Sequence, residues 1–507
     1  MLRRLIMVAQ GVASMLFRSF AAVFATAVLS GVLFTACATN PASGDRNVVL
    51  SSQKGEQESS RRYYDQIVRY YGIYEDQAIQ DYVNAVGQRV ARHSDLPDLE
   101  WHFTVLDDES INAFTTGGGY VYINRGLLNY LNTEAELAGV LGHEMGHVTA
   151  RHPARGQTRS VLASILAIGA AIATGSGAVA DLANIGGAAF VQGYGREAEM
   201  EADRLGLKYA VATGYDPNAM GAVFKVFKAQ ERFEIDAARA EGREPRVYHG
   251  VFSSHPAPDA REVQAAKGAA KITGDPPGGW IENRNTFLQA IDGLPFGTSR
   301  AQGIVRDNRF YSADMGITMA FPRGWTIENQ RERILAFTRN KDSIMQITIE
   351  AKPDRDDPRA FLLKKLKGQS FAGGEALSIN GMEGYMLLTR SGSPLDQGVG
   401  PVRWGVVYRN KSAYVFGGAS KSAINGKPEA DGLIMSVMQT MRDLKPSEFP
   451  LTEPYRIKLI KATDSTKLED YAEHVPLEKY RKEELELMNG LYPNKKPPAG
   501  QFIKVVE

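Results

Sequence analysis

Between residues 75 and 94, apolar side chains recur at Ile79, Val83, Val86, Val90 and Ala91, the spacing of a helix with one buried face. Residues 101–106 alternate as a strand does. Tyr120, Val121, Tyr122 and Ile123 form a second apolar strand directly after Gly117, Gly118 and Gly119. Helical spacing dominates from about residue 50 to 295, where the breaker cluster 274–279 interrupts it. From about 304 to 445 the texture changes to short alternating segments (316–321, 344–349, 402–408), with turn residues at Asn380-Gly381 and at 391–394. The stretch 452–507 reads as strand, helix, helix, strand. The predicted fold class is α+β: a mainly helical domain with a small sheet over 50–295, an α+β domain over 300–448 and a small module over 452–507. A chain of 507 residues exceeds what one core usually serves, which agrees with several domains.

The N-terminus follows a different pattern. Arg3, Arg4 and Arg18 precede an uncharged apolar run, 19–36, as in an export signal. The run ends at Cys37, the single cysteine of the chain. This arrangement resembles a bacterial lipoprotein signal, with Phe34 where leucine is usual. It implies cleavage after residue 36, a lipid on Cys37 and a tether over 37–49. The alternative is an uncleaved signal anchor, since the run is just long enough to span a bilayer. Either reading puts the body outside the cytoplasm. Ala38, not Asp, after the cysteine points to the outer membrane of a Gram-negative cell. One cysteine excludes an intramolecular disulfide.

Residues 132–151 carry the clearest chemistry. Thr133 and Glu136 form a capping box that starts a helix near Glu134. On it Val140, His143, Glu144 and His147 share one face. Two histidines one turn apart can present imidazoles to a single ion, and Glu144 lies where it can act as base on a water. Tetrahedral zinc needs a third protein ligand. His152 points to another face of this helix. The acidic run 195–210, itself a predicted helix, offers Glu197, Glu199, Glu201 and Asp203. Glu199 and Asp203 are one turn apart, so one carboxylate can bind the ion while the other orients a ligand histidine.

These motifs, with Asn40-Pro41 to Gly44, Asn112-Ala113-Phe114 and 196–203, resemble the minigluzincin zinc metalloproteases over roughly residues 40–270. The resemblance implies a zincin-like domain holding one zinc ion per chain, with Glu199 as third ligand and Asp203 behind a zinc histidine. It implies that residues 120–124 (Tyr120, Val121, Tyr122, Ile123) form the edge strand that pairs with substrate. It also implies that His255, within the motif 254–261, can close the zinc's open position, with Arg261 as a cation that shapes the site or stabilises the intermediate. The plainer reading of that motif is a His-Pro helix start with Arg261 in a salt bridge. The Ala- and Gly-rich run 161–190 is too short between breaks to span a bilayer and is expected as a buried hairpin or a lid. Residues 300–448 resemble a PsbP/Mog-like domain without catalytic signature. Residues 452–507 resemble a degenerate LysM module, in which Thr463-Asp464-Ser465 replaces the usual opening.

Composition narrows the partners. With 43% apolar residues, 23% charged and a net charge of +1, the chain offers no electrostatic case for nucleic acid. The expected function is a zinc-dependent endopeptidase acting on cell-envelope polypeptides, anchored through Cys37. Cell-wall glycan or an envelope assembly partner is expected at the C-terminal domains. The rival expectation is a non-proteolytic chaperone or assembly factor that keeps zinc structurally.

Overall fold

The computed structural model describes residues 37–160, 194–245, 255, 258–329, 333–391 and 399–507. The expected signal, 1–36, and the hairpin or lid, 161–190, lie outside these residues.

After α1 (Gln53–Tyr71), the first core is built on α2 (Gln77–Ala91), a three-stranded sheet and a buried helix, α3 (Glu134–Thr149). The apolar stripe of α2 is buried as its spacing predicts. The sheet runs β1 (His102–Leu106), β3 (Tyr120–Asn124), β2 (Ala113–Gly117), so β3 lies in the middle. It pairs parallel with β1 and antiparallel with β2. The expectation that 120–124 is the substrate-binding edge is therefore corrected. Gly117, Gly118 and Gly119, all at positive φ, fold β2 back onto it and occupy the hydrogen bonds a substrate would need. Among the described residues, the unpaired edge beside α3 is β2. The unbroken apolar run Tyr120–Ile123 already has the character of a central strand.

Every residue of α3 is buried. Thr133 Oγ1 accepts from the Glu136 amide at 3.1 Å, and the Glu136 carboxylate accepts from the Asn132 amide at 2.6 Å. Further helices of this core include α4 (Arg196–Ala212), α5 (Ala219–Glu241), α6 (Pro258–Ala269) and α7 (Arg284–Ile291).

Residues 304–445 form a second unit around a seven-stranded antiparallel sheet. Helix α8 (Pro358–Lys365) covers one face through Leu362, and α9 (Asp431–Thr440) covers the other through Ile434, Val437 and Met438. The stretch expected as a module of its own, 452–507, packs as part of the first core. Ile457, Leu485, Met488, Ile503 and Val506 join the cluster that contains Leu137 and Leu141. Its strand Tyr455–Lys461 pairs with Pro295–Phe296 and with Phe502–Val506.

Lys504 makes the tie specific. Fully buried, its ammonium donates to the carbonyls of Asn129 (2.8 Å) and Leu131 (2.6 Å), in the turn just before α3. Burial pushes the Glu136 carboxyl up to about 7, against the Asn132 amide and the charge of Lys504. Lys504→Met keeps the aliphatic stem but strands two carbonyls and removes the cation nearest Glu136. We expect a loss of roughly 2–4 kcal/mol in urea unfolding; an unchanged midpoint would show that the contact is dispensable.

Candidate metal centre

Helices α3 and α4 cross with almost no side chain between their backbones. A Cβ on Gly206 would lie 2.7 Å from the His143 nitrogen, and one on Gly146 would lie 2.8 Å from the Ala202 carbonyl. Glycine is required at this crossing by close approach. The contact sets Glu199, about two turns before Gly206 on α4, against the two histidines of α3.

His143 Nε2 and His147 Nε2 are 3.0 Å apart. Glu199 places one carboxylate oxygen 3.5 Å from His143 Nε2 and the other 3.4 Å from His147 Nε2. Ligand atoms bound tetrahedrally to zinc at ~2.1 Å stand about 3.4 Å from one another. The separations, taken to the two Glu199 oxygens in turn, lie close to those edge lengths. His255 supplies a fourth corner: its Nδ1 is 3.2 Å from His143 Nε2 and 3.1 Å from Glu199. Its Nε2 lies 3.3 Å from the Ala113 carbonyl on β2, which as acceptor fixes the proton there and turns the Nδ1 lone pair inward. All four residues are buried.

The surroundings agree with a divalent cation. Glu144, Glu199 and Asp203 are buried around a single buried guanidinium, Arg261, which leaves two negative charges to balance. Burial opposes charge on His255, but Glu199 and Glu144 outweigh it and hold its pKa up at about 9. Burial also resists ionisation of Glu199, yet His255 and His147 hold that carboxyl well below the usual range. The carboxylates demand positive charge at this point, as a proton on His255 or as a metal ion.

Asp203 accepts from His143 Nδ1 at 2.8 Å, which leaves Nε2 as the ligand atom. Arg261 spends its guanidinium on Asp203 (2.7 and 2.8 Å), Glu199 (2.8 Å) and the His255 carbonyl (3.3 Å), and stacks on Phe224. It braces the carboxylates and holds His255 in place. Glu144 Oε1 is 3.5 Å from His255 Nε2, while its buried Oε2 has no hydrogen-bond partner among the described residues. Burial pushes its carboxyl up, against His255 and His143. That suits a group that takes up and returns a proton.

Of the acidic run, Glu199 meets the histidines, Glu197 is exposed and Glu201 faces His152. His152, expected on another face of the helix, instead meets His147: its Nδ1 is 2.8 Å from His147 Nδ1. The chain turns after α3, at Arg151 with φ of 57°, and so returns a side chain that helical spacing sends elsewhere. Cys37 opens a short strand, Cys37–Thr39, paired with Arg46–Val48.

Residues 77–270 match the model of peptidase family M48. Over this stretch, less than half of its length, the chain resembles M48 peptidases. It is similar to the beta-barrel assembly-enhancing protease of Escherichia coli strain K12, 33% identical over 167 residues, or 31% of this chain and 34% of that one. The putative counterpart in Vibrio cholerae is 34% identical over 32% of this chain and 35% of its own. The mitochondrial metalloendopeptidase OMA1 of Arabidopsis thaliana is 33% identical over 30% and 31%. The chain thus spans about a third of the length of these relatives. Among solved structures, cyanobacterial PsbP from Synechocystis sp. PCC 6803 aligns with 28% of this chain at 13% identity and a TM-score of 0.21, too low to bear on residues 300–448.

M48 peptidases depend on zinc, and the donor set of this chain fits that ion. Gly206→Ala tests the helix crossing on which the set depends. The added methyl overlaps the His143 backbone, and we expect a loss of ~1–3 kcal/mol together with weaker zinc retention against a chelator. Parental values for both would mean that the helices can separate without cost.

Proposed function

We propose that this chain is a zinc-dependent endopeptidase of the cell envelope, in which His143, His147 and Glu199 hold the metal and Glu144 moves the protons. The observation that carries the reading is the Oε2 of Glu144, buried beside the metal donors and without a hydrogen-bond partner among the described residues. A purely structural zinc site has no use for such a group, and this disfavours the non-proteolytic assembly factor. Zinc in this donor set supplies a Lewis acid for the scissile carbonyl and acidifies the attacking water. Glu144 takes the proton from that water and returns it to the leaving amine.

An extended substrate adds as a strand along the free edge of β2. Leu127, Val140, Met220, Val223, Phe224 and Phe227 form an apolar wall beside Glu144, against which an apolar side chain of the substrate would pack. With its Nδ1 3.2 Å from His143 Nε2 and 3.1 Å from Glu199, His255 would compete with water for a bound ion. We assign it as a self-inhibitory ligand, with Arg261 as its brace.

The envelope location rests on the export-signal pattern and on the Gram-negative relatives named for β-barrel assembly. On this reading Cys37 carries a lipid that anchors the protein to the outer membrane, and misfolded or misassembled envelope polypeptides are the substrates. Residues 300–448 and 452–507 recruit an assembly partner or cell-wall glycan, or position the peptidase.

Glu144→Gln should keep zinc and lose cleavage of an unfolded envelope protein by a factor on the order of 10²–10⁴. Equal cleavage by mutant and parent would sink the assignment of the base. If function in cells survived without cleavage, the assembly-factor reading would gain. His255→Ala should raise turnover several-fold, whereas unchanged or lower turnover at normal zinc content would remove the self-inhibitory role.

A further inference from the structure

The two ligand histidines are supported differently. Asp203 holds the outer nitrogen of His143 directly. The outer nitrogen of His147 meets another imidazole, His152 Nδ1, at 2.8 Å, and His152 Nε2 continues to the Glu201 carboxylate at 3.1 Å. With the Nε2 lone pair of His147 turned toward the metal donors, its proton lies on Nδ1 and is donated to His152 Nδ1. His152 must then carry its own proton on Nε2, where Glu201 accepts it. Only this sequence of tautomers satisfies both contacts without charging either ring. Both imidazoles are buried, and Tyr194 stacks on His147 with ring centroids 4.0 Å apart.

Glu201 is held in turn from the N-terminal segment. Asn40, buried and three residues after Cys37, donates from Nδ2 to Glu201 at 3.3 Å, while its Oδ1 accepts from the Ala42 amide at 2.9 Å. The same segment is laid along the end of α3 by the Leu50 amide on Thr158 (3.0 Å) and by Arg151 on the Ser51 carbonyl (2.6 Å).

We propose that His152 is a positioning residue for the metal: with Glu201 and Asn40 it forms a hydrogen-bond relay that fixes the tautomer and ring angle of His147, so that the N-terminal tether is part of the support of the zinc site. This rests on His143 and His147 holding zinc.

The test is zinc affinity of the full chain, read by competition with a chromophoric chelator and without substrate. His152→Ala should weaken zinc binding about 10- to 100-fold, the usual effect of losing a ligand's outer partner. Glu201→Gln should weaken it less, and Asn40→Ala least. His152→Asn should stay within a few-fold of the parent, because its amide oxygen can still accept from His147. Parental affinity in His152→Ala would overturn the relay. So would equal losses in His152→Ala and His152→Asn, which would reduce His152 to packing. If His152→Ala does not fold, the isosteric Glu201→Gln carries the test, and parental affinity there overturns the proposal. Failure of the parent itself to bind zinc would instead refute the peptidase reading beneath it.

Discussion

Two helix backbones in near contact underlie the whole centre. The Gly142–Gly206 and Gly146–Ala202 approaches leave α3 and α4 no room for larger side chains between them. At that distance a carboxylate on one helix reaches imidazoles on the other. A typical helix pair, 8–10 Å apart, would leave a longer gap for Glu199 to cross. The small residues are thus as necessary to the ligand set as the ligands, although they touch no metal.

Contact of this kind crowds charge, and the remaining architecture answers that crowding. Arg261 lies across Glu199 and Asp203, and His255 lies between Glu199 and Glu144. Each buried acid therefore has a cationic or donating neighbour, and the excess that remains matches a divalent ion. The apolar wall from α5 keeps water from screening these interactions, which strengthens each of them. Glu144 stays the least satisfied member, and in a packed interior an unsatisfied acid is free to exchange a proton.

Much of this was legible in the sequence, for identifiable reasons. Thr133, Glu136, His143, Glu144 and His147 act within one helix, where spacing translates directly into geometry. Glu199 was one of three candidate glutamates on spacing alone, and only the crossing of two helices separates it from Glu197 and Glu201. His152 was set aside because helical spacing sends it away, yet α3 ends before it and the turn brings it back. The error at 120–124 came from treating the strand nearest the helix in sequence as the nearest edge in space. The sheet order depends on the Gly117–Gly119 hairpin, whose partner choice is not local. Lys504 gave no warning at all, since a lysine that supports a turn more than 300 residues away looks like any surface lysine.

The pairing of Phe296 with Tyr455, and of Pro295 with Arg456, has a topological consequence. The chain leaves the peptidase core and returns to it at neighbouring positions of one short ladder. Everything in between, including the seven-stranded sheet, is an insertion whose two ends are already together. Such a graft asks only that its own termini be close, and its internal length hardly affects the host. The core is therefore discontinuous in sequence but continuous in space, and the sheet can change its face, size or ligand without disturbing a single metal donor.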